Sequence, residues 1–402
     1  MRILFLNKRM LFPTNTGGRI RTLNVVRYLA RWHDLVYLCA MQPGEEEFVA
    51  PMRELGLSLE TVPWRETPRD SLKFYRDLAI NLGSRYPFNV NKDFDPALRE
   101  RALALIARQP FDLVICDFVQ MARNAVGLPA AASLLFQHNV ESQIFQRHAE
   151  TDAGWPRRRF MAYQAWKMRR FEGWAGKQFD AVVAVSPQDQ RLFETLYGWT
   201  HVRTIDTAVD TEFFQPVEGA EQSQRVLFVG SLDWLPNQDG LRYFVRDIWP
   251  RIHDRLPGAV FQVVGRNPTS EMLSLGDQAG VQVVGAVADT RPHLAEAAVV
   301  VVPLRIGGGT RIKIFEALAM RKAVVSTSLG AEGLPVKSGQ DLVLADDAAA
   351  FAASVIRLLE DSSVRSSLGA KGRRLVESGY SAETVARQFE RICLETCQMR
   401  KC

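Results

Sequence analysis

The residues best suited to chemistry lie between Pro303 and Leu318, in the run Pro-Leu-Arg-Ile-Gly-Gly-Gly-Thr-Arg-Ile-Lys-Ile-Phe-Glu-Ala-Leu. Gly307, Gly308 and Gly309 let the main chain turn sharply and let a ligand approach it closely. Thr310 follows, and the residues beyond it predict a helix whose free N–H groups and dipole favour an anion at its start. Arg311 and Lys313 add cations at the same place. On a helix, Lys313 and Glu316 share a face, which sets a cation for phosphate beside a carboxylate that accepts from hydroxyls. That combination suits a sugar nucleotide. Taken alone, the stretch reads equally well as a glycine turn with two solvated basic residues, so the surrounding chain must decide.

The apolar run Val299 to Val302 just before it predicts a buried parallel strand. Further strands are predicted at 2–7, 34–40, 57–62, 112–116, 133–137, 181–186 and 202–205, then at 225–230, 259–264, 281–284, 323–326 and 341–344, with helical patterns between them. This alternation indicates an α/β protein with parallel sheets covered on both faces and ligands beyond the carboxyl ends of the strands. Arg225-Val226-Leu227-Phe228-Val229-Gly230 echoes Arg2-Ile3-Leu4-Phe5-Leu6-Asn7, which marks a second domain of related architecture. The expected domains are 1–208 and 209–380, with a last helix over 381–402. At 402 residues, 47% apolar and 24% charged, the chain can bury a core in each.

The net charge of +5 favours an anionic substrate or membrane surface and does not by itself argue for nucleic acid. Ile3 to Leu6 is only strand length, and no secretory or membrane-spanning segment is apparent, so a cytoplasmic protein is expected. Five scattered cysteines read as free thiols; Cys393 and Cys397 lie one helical turn apart but lack further ligands for a metal. Asp93-Phe94-Asp95 has the look of a metal-binding pair, yet Asp95 precedes Pro96 and reads as a helix cap, so no metal is assigned. The segment Trp155 to Lys177 is rich in aromatics and cations. It is read first as a packed helix with a solvated basic face, and membrane contact is the alternative.

Gly17-Gly18 forms a turn between the first strand and a helix, and Arg19 and Arg21 in that helix's first turn are unfavourable against its dipole unless an anion or acid lies nearby. Two strand ends carry candidate groups, Asp117-Phe118 and His138-Asn139-Val140-Glu141.

The string Gly307-Gly308-Gly309-Thr310-Arg311-Ile312-Lys313, with Glu316-Ala317-Leu318-Ala319, Ala323-Val324-Val325-Ser326-Thr327 and Gly330-Ala331-Glu332-Gly333-Leu334, resembles the donor site of the family 4 retaining glycosyltransferases. The resemblance implies the GT-B arrangement of two facing Rossmann-like domains with the site in the cleft between them, and a last helix that crosses back to the first domain. It implies a nucleotide diphosphate sugar as co-substrate, no cofactor, and a hydroxyl acceptor, with glycan, lipid-linked and small-molecule glycosides all open. Gly17 and Gly18 then sit near diphosphate and acceptor, His138 at the transferred sugar, Val287 at the base and Glu316 at the ribose hydroxyls, with Arg266 as an additional weak candidate. Two departures from the family pattern occur together. Ser231 and Asn237 stand where many members have an arginine and a lysine, and Gly308 stands where the first of two paired glutamates belongs. The expectation is a subgroup whose phosphate clamp has moved to Arg311 and Lys313. Chemistry at the sugar is expected from His138, Arg311 and Lys313, in a cytoplasmic enzyme open to peripheral contact with the inner face of the membrane. A sugar-nucleotide epimerase and a non-catalytic nucleotide-sugar-binding protein are the rivals.

Overall fold

A computed structural model describes residues 1–14, 16–68, 71–151, 154–306 and 312–400. The first sheet contains β1 (Arg2–Leu6), β2 (Asp34–Met41), β3 (Ser58–Pro63), β4 (Leu113–Asp117), β5 (Ala132–Phe136), β6 (Ala181–Ala184) and β7 (Val202–Thr204). The second contains β8 (Arg225–Val229), β9 (Val260–Val264), β10 (Val281–Gly285), β11 (Val299–Val302), β12 (Ala323–Ser326) and β13 (Val343–Leu344). Each predicted strand is present, its ends displaced by at most two residues.

Both sheets are parallel, with orders β3-β2-β1-β4-β5-β6-β7 and β10-β9-β8-β11-β12-β13. The strands are apolar runs because helices cover both faces; all four valines of β11, for example, are buried. In each sheet the winding reverses beside the first strand, at β1/β4 and at β8/β11. Connections leave such a junction in opposite directions and open a crevice at the carboxyl ends of its two strands. Asn7 and Asp117 occupy that place in the first sheet, Gly230 and Pro303 in the second.

The chain forms two compact units, 1–206 with 385–402 and 207–384. In the first, the helix Ala382–Met399 sets Phe389 against Phe136 at 4.9 Å, pairs Glu390 with His33 at 2.9 Å and lays Arg387 over the Trp32 ring at 3.4 Å. Asp95 caps the helix Pro96–Arg108, accepting from the Ala97 N–H at 3.0 Å, and Asp93 pairs with Lys8. Both carboxylates of the metal-like Asp93-Phe94-Asp95 are thereby engaged with the protein.

The helix Trp155–Gly176 buries Gln164, Lys167, Met168, Phe171, Glu172 and Ala175. Its outer face carries cations, as expected, and also Trp155, Tyr163, Trp166 and Trp174, while polar Gln164, Lys167 and Glu172 share the buried stripe with Met168, Phe171 and Ala175. Lys167 donates to the Asn81 carbonyl at 2.6 Å and Gln164 to the Asn81 side chain at 3.1 Å.

Backbone crowding at the second sheet's carboxyl edge sets a tight tolerance. A Cβ on Gly265 would stand 1.8 Å from the Gly230 carbonyl oxygen, a contact no rotamer change relieves. Gly265→Ala is expected to destabilise the protein by about 2 kcal/mol or more, measured by urea unfolding followed through tryptophan fluorescence.

Candidate functional site

In the second unit the site begins at Gly230, directly after β8. A Cβ there would lie 2.7 Å from both the Asn237 amide nitrogen and the Lys313 ammonium, so glycine is what lets these groups meet above the strand end. Lys313 Nζ donates to Asn237 Oδ1 at 2.9 Å and rests 4.5 Å from the centroid of the Phe228 ring. Asn237 is buried and its Nδ2 donates to the Ser231 carbonyl at 2.8 Å. Both polar ends of this amide are therefore engaged, and its work is to fix the direction of Lys313. Arg266 is exposed; its Nε donates to Ser231 Oγ at 3.1 Å, and Ser231 donates to Asp233 at 2.6 Å. Asn237, Arg266 and Lys313 thus converge on the turn Gly230-Ser231.

Glu316 is on the helix Ile312–Ala319, one turn beyond Lys313. Loss of solvent pushes its carboxyl up to about 7, and the Lys313 charge opposes this. Val287 is half-buried in the turn after β10, packed against the core. Gly307, Gly308, Gly309, Thr310 and Arg311 lie outside the described residues.

In the first unit, Gly17 opens the helix Gly17–Trp32 and Thr16 caps it. A Cβ on Gly18 would meet the Phe118 ring at 2.8 Å, and that ring stacks on His138 with centroids 4.1 Å apart. Phe118 has φ 66° and ψ 141°, a sparsely populated region that costs an L-residue about 1–3 kcal/mol. The strain buys a closed sandwich of glycine, phenyl and imidazole.

His138 is buried, and the sequence does not foretell its partners. Arg21 approaches Nδ1 at 3.2 Å, and since a guanidinium only donates, Nδ1 accepts and Nε2 carries the proton. That N–H donates to Asp117 Oδ1 at 2.6 Å. Asp117 is fully buried and takes two more donors on Oδ2, Asn7 at 2.6 Å and Thr22 at 2.8 Å. Burial lowers the His138 pKa; Asp117 opposes that and Arg21 adds to it. Burial also lowers Arg21, to about 10. The turn after His138 is fixed by the buried Glu172, which accepts from the Glu141 N–H at 2.9 Å, the Gln137 side chain at 3.0 Å and the Tyr197 hydroxyl at 2.7 Å. Asp117 was visible as a strand end, and its pairing with His138 is the signal that sequence reading passed over.

Two family models match the chain, one described as Glycosyltransferase Family 4 over residues 16–213 and one described as Glycosyl transferases group 1 over residues 223–361. An uncharacterized 44.6 kDa protein in the cps region of Klebsiella pneumoniae is 22% identical over 394 residues, 93% of this chain and 95% of that one. Among solved structures, HepE of Anabaena in complex with UDP and glucose is similar with a TM-score of 0.67 at 14% identity, covering 97% of this chain and 98% of that one. Sucrose-phosphate synthase from Thermosynechococcus elongatus has a TM-score of 0.68 at 18% identity, covering 98% and 99%. The fold is GT-B, and the two family matches make the chain a glycosyltransferase. It belongs to the family 4 and group 1 type, the one model falling on the first unit and the other on the second.

The raised Glu316 carboxyl has a consequence for the ligand-free protein. Between an unfolded value near 4.5 and the folded value of about 7, the unfolded chain is ionised while the folded one still holds its proton, so stability falls as pH rises through this window. Glu316→Gln removes that penalty. The variant should melt with the parent at about pH 4 and roughly 2–4 °C or more above it at about pH 8, read by differential scanning calorimetry.

Proposed function

We propose that this glycosyltransferase retains anomeric configuration, needs no metal, and belongs to a subgroup whose phosphate clamp is Arg311 and Lys313. The observation that carries the reading is the Lys313 ammonium, held by Asn237 over the glycine that ends β8, at the junction where a doubly wound sheet binds ligands. In the proposed reaction the sugar C1–O bond to the diphosphate breaks as the acceptor oxygen bonds C1 from the same face, and the acceptor's proton passes to the departing phosphate oxygen. Lys313, Arg311 and the N–H groups of 307–310 stabilise the charge that grows on the diphosphate. Glu316 accepts from the ribose hydroxyls, the backbone at Val287 faces the base, and Arg266 extends the positive rim. His138, with both ring nitrogens engaged, orders Arg21 and Phe118 beside Gly17 and Gly18 and shapes the sugar subsite through them. HepE, whose structure contains UDP, makes UDP-sugars the first donors to test. The similarity to a protein in a cps region points to a surface polysaccharide as the product.

The test is transfer from a panel of UDP-sugars, with the product anomer read by proton NMR before mutarotation. An α-linked donor should give an α-linked product, EDTA should change nothing, and Lys313→Ala should slow transfer about tenfold to a hundredfold. An inverted anomer, or a Lys313→Ala variant as fast as the parent, rejects the reading.

We also place the enzyme at the inner face of an anionic membrane, where lipid-linked acceptors are presented. Among the described residues no helix is long and apolar enough to cross a bilayer. The helix Trp155–Gly176, however, exposes Trp155 and Trp166 with Arg159 and Arg170 stacked over them at 5.1 and 5.0 Å. On the helix Leu72–Leu82, which Tyr163 joins through a 2.9 Å bond to the Leu82 carbonyl, Leu72 and Ile80 are also exposed. Aromatics with cations fit headgroups and anionic lipid. The protein should sediment with phosphatidylglycerol vesicles and not with phosphatidylcholine alone, and Trp166→Ser with Arg170→Ser should weaken this about tenfold or more. Equal recovery on both vesicle types rules the placement out.

A further inference from the structure

The Phe118 ring is the outer member of an aromatic column in the first unit. Phe389 meets Phe136 at 4.9 Å, Phe136 meets the His138 imidazole at 4.3 Å, and His138 stacks on Phe118 at 4.1 Å with the ring planes 18° apart. The first three members are buried, whereas Phe118 is half-buried. Gly18 closes only the tip of the phenyl. A Cβ built there would stand 2.8 Å from Cζ and 3.7 and 3.8 Å from the two Cε atoms, distances that put it beyond the tip and close to the ring plane. One face of the phenyl is therefore taken by the imidazole, and the other by neither neighbour. The strained backbone at φ 66° holds the ring in this pose.

Phe118 lines a cavity of about 450 Å³ that opens beyond the carboxyl end of β1. Of the charged side chains around it, Lys8 pairs with Asp93, Lys92 with Glu66, and Arg9 with both Glu66 and Glu45. Such pairs present donors and acceptors side by side, which suits the hydroxyls of a neutral guest. An aromatic face set among them suits the guest's ring, because the C–H bonds on one face of a pyranose are apolar and turn a slight positive charge toward the π cloud.

We infer that the acceptor is a glycan or glycoside ending in a pyranose, and that this sugar lays one C–H face on the open side of Phe118. The inference rests on the transferase reading and names the acceptor class for it. The probes are the methyl pyranosides of glucose, galactose, mannose and N-acetylglucosamine, offered at about 10 mM to the full chain with UDP present and read by saturation-transfer NMR. At least one should bind, with saturation concentrated on the C–H protons of one ring face and with Overhauser contacts to phenylalanine ring protons. Phe118→Leu should abolish those contacts and weaken binding about threefold to tenfold, and Phe118→Tyr should hold binding within about twofold of the parent. The donor's own sugar is the other pyranose that such a platform fits, and titrations with UDP and UDP-glucose separate the two. A Phe118→Leu loss confined to UDP-glucose assigns the platform to the transferred sugar and overturns the inference. So does the failure of every pyranoside to bind, or binding that Phe118→Leu leaves unchanged. Should leucine at 118 prevent folding, the parent decides alone: saturation spread over both faces of the sugar, without a phenylalanine contact, overturns the inference as well. UDP titration of the parent keeps the two readings apart: UDP binding without pyranoside binding rejects the acceptor class alone, whereas no UDP binding rejects the transferase reading.

Discussion

A parallel sheet cannot be closed by hairpins, so each strand must return over a face, and the returns in this chain run both ways from the first strand of each sheet. That constraint produces two junctions, β1/β4 and β8/β11, where main chain is exposed at carboxyl ends with no crossover above it. Side chains from the adjoining helices and loops fill the place, and Asp117 is buried there. Gly230 and Gly265 show how little space is left: backbone packs on backbone, and side chains enter only from the next helix or loop.

Polar groups brought to these junctions are largely removed from water and must be repaid in hydrogen bonds. Asp117 is repaid by three donors and Glu172 by a set that includes two backbone N–H groups. Among the described residues no hydrogen bond reaches the Glu316 carboxyl, and loss of solvent raises it to about 7. Asp117 is fully bonded and holds its neighbours in place.

The strands and the doubly wound class were legible because the signal is local: four- to six-residue apolar runs separated by helical periods. The cap at Asp95 was legible for the same reason. What escaped was everything that depends on topology. His138 could be placed at a strand end, but its partners Arg21, Thr22 and Asp117 come from two other elements, and only the β1-β4-β5 neighbourhood brings them together. Phe118 gives no sequence hint of its backbone strain, since that conformation is imposed by the stack between Gly18 and His138. The two faces of the helix Trp155–Gly176 were hard to tell apart because its inner stripe mixes Gln164, Lys167 and Glu172 with Met168, Phe171 and Ala175, while tryptophans lie outside.

Asn237 turns the loss of a cation into a positioning device. A lysine at 237 and a lysine at 313 would bring two ammonium groups to the space where amide and ammonium now meet at 2.9 Å, beside a glycine with no room to spare. Repulsion at that range in a partly desolvated pocket is severe, so the two positions are alternative sources of one charge. With the amide at 237, the charge arrives from the helix Ile312–Ala319, and the ring of Phe228 and the oxygen of Asn237 hold it in place. A carboxylate there would have cancelled the charge.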